Sequence, residues 1–408
     1  MPNAQPAPTP PVSLLARVRS GDWLTAERVL VYGRIFLGAT VAIVIGWLAL
    51  SHGNVDMTGK PLGPDFLNVY AAGVLVQQGH PADAYDWEKH RAAEQAVVPY
   101  DEYFGWHYPP MFLALAALLA SLPYLPALGL YMAATLAGYA AVLRALVGRL
   151  RHGVLLALAF PGVFANLGHG QNGFLTTGLF GAALMTLERR PVVSGVLFGL
   201  MAYKPQFGLL IPVALLAARA WTAIAAAAVT VLLTASASAL AFGLDTWLAF
   251  RQSLSLTQSV VLEEGATGWP KIVSLFSAAM GLGAPLPLAY AVQFAGLALA
   301  AVVTAFVWWR TEDGYLRAAA LGFAIPLSTP YVLDYDLVLL AVPIACLALN
   351  GIERGFAPWQ KSLLAALFVL PLIARSIAML THVSLTPLLL AAVLATLVGA
   401  VRRGDVRA

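Results

Sequence analysis

The sequence predicts an all-α integral membrane protein, a polytopic bundle of about 12 transmembrane helices. Three observations predict it. First, 60% of the 408 residues are hydrophobic and only 11% are charged, against about 25% charged in a soluble domain. Second, apolar runs recur from Val29 to Val401, and a bilayer crossing needs about 20 such residues. They are rich in Leu and Ala. In lipid the backbone must satisfy its own hydrogen bonds, so these runs form helices. Third, lysine and arginine gather at alternate ends of the runs, as a membrane topology requires.

The spans read as 29–50, 124–147, 153–167, 171–187, 191–203, 206–219, 221–243, 285–309, 315–329, 332–350, 361–380 and 384–401. Met111–Ser121 is too short to cross and reads as a half-helix or re-entrant segment. With a cytoplasmic N-terminus, the inner ends then hold 17 basic residues against seven acids. The outer side holds six basic residues against 13 acids, and Arg375 falls inside a span. A full crossing by Met111–Ser121 would turn the Arg144–Arg151 cluster outward, against the positive-inside bias.

The organisation follows from that topology. Residues 1–28 form a cytoplasmic N-terminus, of which Met1–Val12, rich in Pro and Ala, reads as disordered. No small-residue cleavage site follows the first apolar run, so it reads as a retained helix. Residues 29–402 form one transmembrane domain and 403–408 a cytoplasmic tail. The first outer loop spans 51–108. Within it Phe66–Val76 and Trp87–Val97 read as helices lying at the interface, the first on the spacing of Phe66, Val69, Tyr70, Gly73 and Val74. A second outer loop spans 244–271. The formal charge of +4 sits at helix ends and gives no case for nucleic acid. The single cysteine, Cys346, excludes an intramolecular disulfide and a multi-cysteine metal site.

Polar clusters fall where helices meet the outer interface, where irregular backbone can line a cavity. Asp65 follows Pro64 at the start of a helix. It is either a first-turn acid favoured by the helix dipole or a general base, and the two roles can coexist. Lys204, beside Pro205 in an apolar stretch, either snorkels or binds an anion, with Gln206 adding a further polar group. His107 and Tyr108 precede two prolines, as an aromatic anchor or a ligand contact. His169, Gln171 and Asn172 form a polar turn between spans. Asp334 and Asp336 open a span, where acids are favoured in any case. No Gly-Lys-Ser phosphate loop, His-Glu-x-x-His zinc motif or Gly-x-Ser-x-Gly elbow is present.

In order, these clusters resemble glycosyltransferase family 87, also known as domain-of-unknown-function family 2029. The resemblance lies in Asp65-Phe66 with Tyr70-Ala71-Ala72, Tyr108-Pro109-Pro110, Gly170-Gln171-Asn172, Lys204-Pro205-Gln206, and Ser328-Thr329-Pro330 with Asp334 and Asp336 behind it. It implies a GT-C membrane fold and an inverting transferase, with mannose the sugar, moved from a polyprenyl-phosphate carrier to an envelope lipid or glycan acceptor outside the cell membrane. It also implies that Asp65 is the base. Lys204, with His107 or Gln206, is then placed to hold the leaving phosphate. Asp65 has no adjacent second acid to form a metal-binding pair, so the enzyme is expected to be metal-independent, with no cofactor. The rival readings are a transporter or flippase of lipid-linked sugars, and a non-catalytic subunit of an envelope-polymer assembly. A transporter should show paired halves and polar groups at the midplane, and neither is visible here.

Overall fold

A computed structural model describes residues 13–404 of the protein. The expected disorder of Met1–Val12 and most of the 403–408 tail lie outside the described residues. Among those described, 77% are helical and there is no strand.

Six helices are long and apolar enough to cross a membrane: Ala26–Ala49, Tyr124–Val147, Trp221–Phe242, Leu286–Arg310, Asp334–Arg354 and Gln360–Thr381. Each matches a span read from the sequence. The other six predicted spans are shorter pieces. The 153–167 run breaks into Gly153–Leu158 and Pro161–His169, and the 206–219 run into a 3₁₀ turn, Pro205–Phe207, and the helix Ile211–Ala217. Proline starts the second piece of one and the first piece of the other, because it cannot donate the backbone hydrogen bond that would continue a preceding helix. The Gly173–Thr186 and Gly314–Ser328 helices are likewise shorter than a full crossing. At 1.5 Å per residue such pieces reach about 20 Å, against a hydrocarbon core of about 30 Å. Of the 12 predicted spans, six are thus long continuous helices and six are broken or shorter ones.

Burial orders the helices from centre to rim. The Asp334–Arg354 span is 78% buried and Gly314–Ser328 packs beside it, while Ala26–Ala49 is 6% buried and faces outward. Burial also corrects the reading of the first loop. The Pro64–Gln77 helix is buried on nearly every side, including Leu67, Ala71 and Ala72 opposite the face expected to contact lipid. It packs on the half-helix Leu113–Leu119 so closely that a Cβ on Gly73 would stand 2.1 Å from the Ala116 carbonyl oxygen.

Four contacts gather one end of the bundle. Trp359 N donates to Arg19 O at 2.7 Å and Ser362 Oγ to Val18 O at 2.6 Å. Arg149 pairs with Glu353, and Arg354 with Asp313 at 2.9 Å. The N-terminal helix, the end of Tyr124–Val147 and the 353–362 turn thus share one pole. That leaves no crossing for Pro110–Leu119, which is a half-helix as expected. A cleft of about 390 Å³, lined by Glu188, Arg189, Glu312 and Arg354, opens at this pole. It lies a full span away from the polar clusters.

The charge bias of the sequence predicts that this pole is cytoplasmic. In a Cys346→Ala background, Lys89→Cys and Glu264→Cys, both at exposed positions, are expected to react with an impermeant thiol reagent from outside, and Arg151→Cys is not. Outside labelling at position 151 would reverse the topology.

Candidate active site

Two left-handed glycines bring the site together. Gly63, the residue before the Pro64–Gln77 helix, has φ 67° and Gly170 has φ 65°. They face each other so closely that a Cβ on Gly170 would lie 2.8 Å from Gly63 Cα. Glycine tolerates both the conformation and the approach. The contact presses the start of the first-loop helix onto the Gly168–Asn172 turn and sets Asp65 against Gln171.

Asp65 is 7% exposed. Among the described residues its side chain accepts no hydrogen bond from a backbone N–H of its own helix. It accepts one long bond, 3.4 Å from Gln171 Nε2 to its Oδ2. Gln171 is itself held from two sides, its Oε1 accepting from Tyr108 OH at 3.0 Å and from Asn172 N at 2.7 Å. The adjacent Asn172 accepts from Lys204 Nζ at 3.1 Å, and Lys204 Nζ donates to Asp336 Oδ1 at 2.6 Å. Asp336 Oδ2 accepts from Leu333 N at 3.1 Å. One chain of contacts thus links Asp65, Tyr108, Gln171, Asn172, Lys204 and Asp336 across five separate segments. Lys204 is 4% exposed and paired, so it does not snorkel. Asn172 Nδ2 is buried with no protein partner, a donor left over beside Lys204.

The remaining predicted residues sit around this chain. His169 Nδ1 donates to Ala165 O, 2.9 Å away, and its ring lies 5.1 Å from that of Tyr335. Asp334 Oδ1 accepts from Tyr335 N at 2.8 Å. His107 is exposed and contacts Thr257 Oγ1 at 3.0 Å, tying the first outer loop to the helix Leu244–Thr257 of the second. Gln206 is half-buried and has no side-chain partner among the described residues, so the structure does not join it to the chain.

A buried pair behind Asp65 was not legible in the sequence. His90 and Glu94, on the Trp87–Val97 helix, are 0% and 1% exposed. His90 Nε2 lies 3.1 Å from Asn68 O, one turn along from Asp65. That contact requires the proton on Nε2 and leaves Nδ1 an acceptor. Burial pushes the Glu94 carboxyl up to about 8 and the His90 imidazole down to about 4. His90 Nδ1 and Glu94 Oε1 stand 3.6 Å apart, and neither has a hydrogen-bond partner among the described residues. His90 anchors the Trp87–Val97 helix to the helix that carries Asp65, and Glu94 accepts from Phe104 N at 3.1 Å. Among the described residues, no three His, Cys, Asp or Glu side chains converge as a metal site would need.

The fold and this cluster define a multi-pass helical membrane protein with a buried carboxylate, amides and a lysine gathered at one pole. The family model of glycosyltransferase family 87 matches residues 106–333, more than half of the chain, and the protein belongs to that family. The matched segment holds Tyr108, Gln171, Asn172 and Lys204. Asp65 and Asp336 stand outside it and join it through the contacts above. No curated protein and no solved structure matches the chain.

Proposed function

We propose that this glycosyltransferase moves a sugar, mannose on the family resemblance, from a polyprenyl-phosphate carrier to an envelope lipid or glycan. The reaction takes place on the extracytoplasmic face of the cell (inner) membrane, with both termini cytoplasmic. The observation that carries the reading is Asp65: a buried carboxylate with, among the described residues, one weak contact and no bond from its own helix backbone, facing a polar cluster at the pole opposite the basic one. In the proposed step the acceptor hydroxyl gives its proton to Asp65 as its oxygen bonds the anomeric carbon. The bond from that carbon to the phosphate oxygen breaks, and the electron pair leaves on the phosphate. Attack opposite the leaving group inverts the anomeric centre. A general base of this kind supplies about 10²–10⁴-fold of rate.

The Lys204–Asp336 pair holds Asn172, and in this reading the lysine ammonium and the free Asn172 Nδ2 donor meet the leaving group as charge develops on it. An apolar groove of about 360 Å³, lined by Ile43, Trp47, Met57, Phe164 and Gly168, opens next to His169 between the first span and the Pro161–His169 helix. It offers the polyprenyl chain an apolar seat that ends at the polar cluster. Transfer is proposed to need no resident metal. The test is transfer from a lipid-linked sugar against a nucleotide sugar, with chelator present. Label moving from the lipid donor alone is the expected result, and transfer from the nucleotide sugar alone would contradict the reading.

A further inference from the structure

Basic side chains from separate segments close around one aromatic ring. Lys271 Nζ stands 5.2 Å from the centre of the Tyr335 ring, and Lys204 Nζ 5.9 Å. His169 lies against the same ring. Beside it, Arg375 Nη1 is 3.8 Å from Asp334 Oδ2. That is too long for a hydrogen bond, and Arg375 makes no hydrogen bond among the described residues. Lys271 has neither an ion pair nor a side-chain hydrogen bond among them. Lys204, by contrast, is committed to Asp336 and Asn172.

Tertiary structure, not sequence proximity, assembles this group. Val273 N donates to Val332 O at 2.9 Å and Ile272 pairs with Leu333, which pins the second outer loop to the segment before Tyr335. The Trp269–Lys271 turn and the Asp334–Leu340 turn both pack on the Gln360–Thr381 helix that carries Arg375. Half of the Arg375 side chain is exposed, on a helix whose Leu372, Met379 and Leu380 are exposed too. An arginine at a lipid-facing surface is unfavourable unless it meets a counter-charge, and such residues mark functional sites. The carboxylate nearest to it, Asp334, is buried and already accepts from Tyr335 N.

We infer that Arg375 and Lys271 hold the phosphate of a membrane-borne lipid at the edge of the Tyr335 ring. This rests on the proposed lipid-linked donor and assigns its phosphate to these two residues. The guanidinium can grip two phosphate oxygens at once, and the ammonium adds a point charge. Because Arg375 is open to lipid, a headgroup can reach it sideways from the bilayer. A phospholipid headgroup carries the same chemistry, so the test separates the two sources.

Full-length protein in nanodiscs of zwitterionic lipid would be titrated with a labelled polyprenyl phosphate. Arg375→Gln and Lys271→Gln are each expected to bind it about 10- to 150-fold more weakly, the loss of one charge-assisted contact. Their melting temperatures should match wild type, and Arg375→Lys should recover part of the affinity. An equal concentration of phosphatidylglycerol or inorganic phosphate should not displace the label. Wild-type affinity in both glutamine variants overturns the inference. Equal displacement by phosphatidylglycerol overturns it in favour of a general anionic-lipid contact, and displacement by inorganic phosphate overturns the need for a lipid. A wild-type protein that binds no polyprenyl phosphate removes the proposed donor, and this site with it. Wild-type binding with unaffected variants removes this site alone.

Discussion

Asp65→Asn is expected to insert, fold and melt like the wild type while losing sugar transfer by about 10²–10⁴-fold, the contribution of a general base. Asparagine has the size of aspartate and serves a helix N-terminus about as well. Substituting Asp65 therefore separates a structural role from a chemical one. The structure favours the chemical one. Among the described residues the carboxylate accepts no hydrogen bond from a backbone N–H of its own helix, and its one partner, Gln171 Nε2, stands at 3.4 Å. An amide oxygen at position 65 can keep that contact but cannot take a proton from an acceptor hydroxyl. Melting in detergent and transfer from a polyprenyl-linked sugar would be measured on the same preparation. A stable variant with wild-type turnover would leave Asp65 a first-turn acid and nothing more.

Lys204→Ala should behave in the opposite way and lose stability as well as activity. Lys204 and Asp336 are 4% and 2% exposed and 2.6 Å apart. Removing the lysine strands a buried carboxylate, which costs about 3–5 kcal/mol. The loss belongs to the stranded charge rather than to the worth of the pair. A Lys204→Met, Asp336→Leu double variant should accordingly recover most of the melting temperature, since apolar replacement of a buried pair is often neutral or stabilising. It should remain poorly active, because Asn172 loses the partner that orients it. A Lys204→Ala protein that melts with the wild type would mean that water or a rearranged side chain already compensates Asp336.

Much of this site could be read from the chain because its residues break the apolar pattern. Gly-Gln-Asn and Lys-Pro-Gln stand out between runs of Leu and Ala, and alternation of the basic residues puts them on one side. Which of them touch was not legible. The Lys204–Asp336 pair joins positions 132 residues apart, and local sequence carries no trace of it. Lysine beside proline near an interface reads equally well as a snorkelling side chain. Arg375 did carry a sign, a charge inside an apolar span, but its partner Asp334 and its neighbour Lys271 come from other segments.

Helix lengths misled for a different reason. Hydropathy counts apolar residues without regard to hydrogen bonding, so it ran the 153–167 segment through Pro161, where the helix breaks. The first-loop helix was read from one apolar face, whereas Leu67, Ala71 and Ala72, and with them Asp65 and Asn68, are buried as well. The half-helix Leu113–Leu119 and the Trp87–Val97 helix cover it on either side, and it is buried.

The central claim is direct transfer from a lipid-linked donor with Asp65 as base, and the anomeric configuration of the product tests it most directly. Purified protein would be given a polyprenyl-phosphate sugar of known configuration with an envelope acceptor, and the new glycosidic linkage assigned by NMR coupling constants. A single displacement predicts the opposite anomer in the wild type and no product above background in Asp65→Asn. A product that retains the donor's configuration would contradict the account.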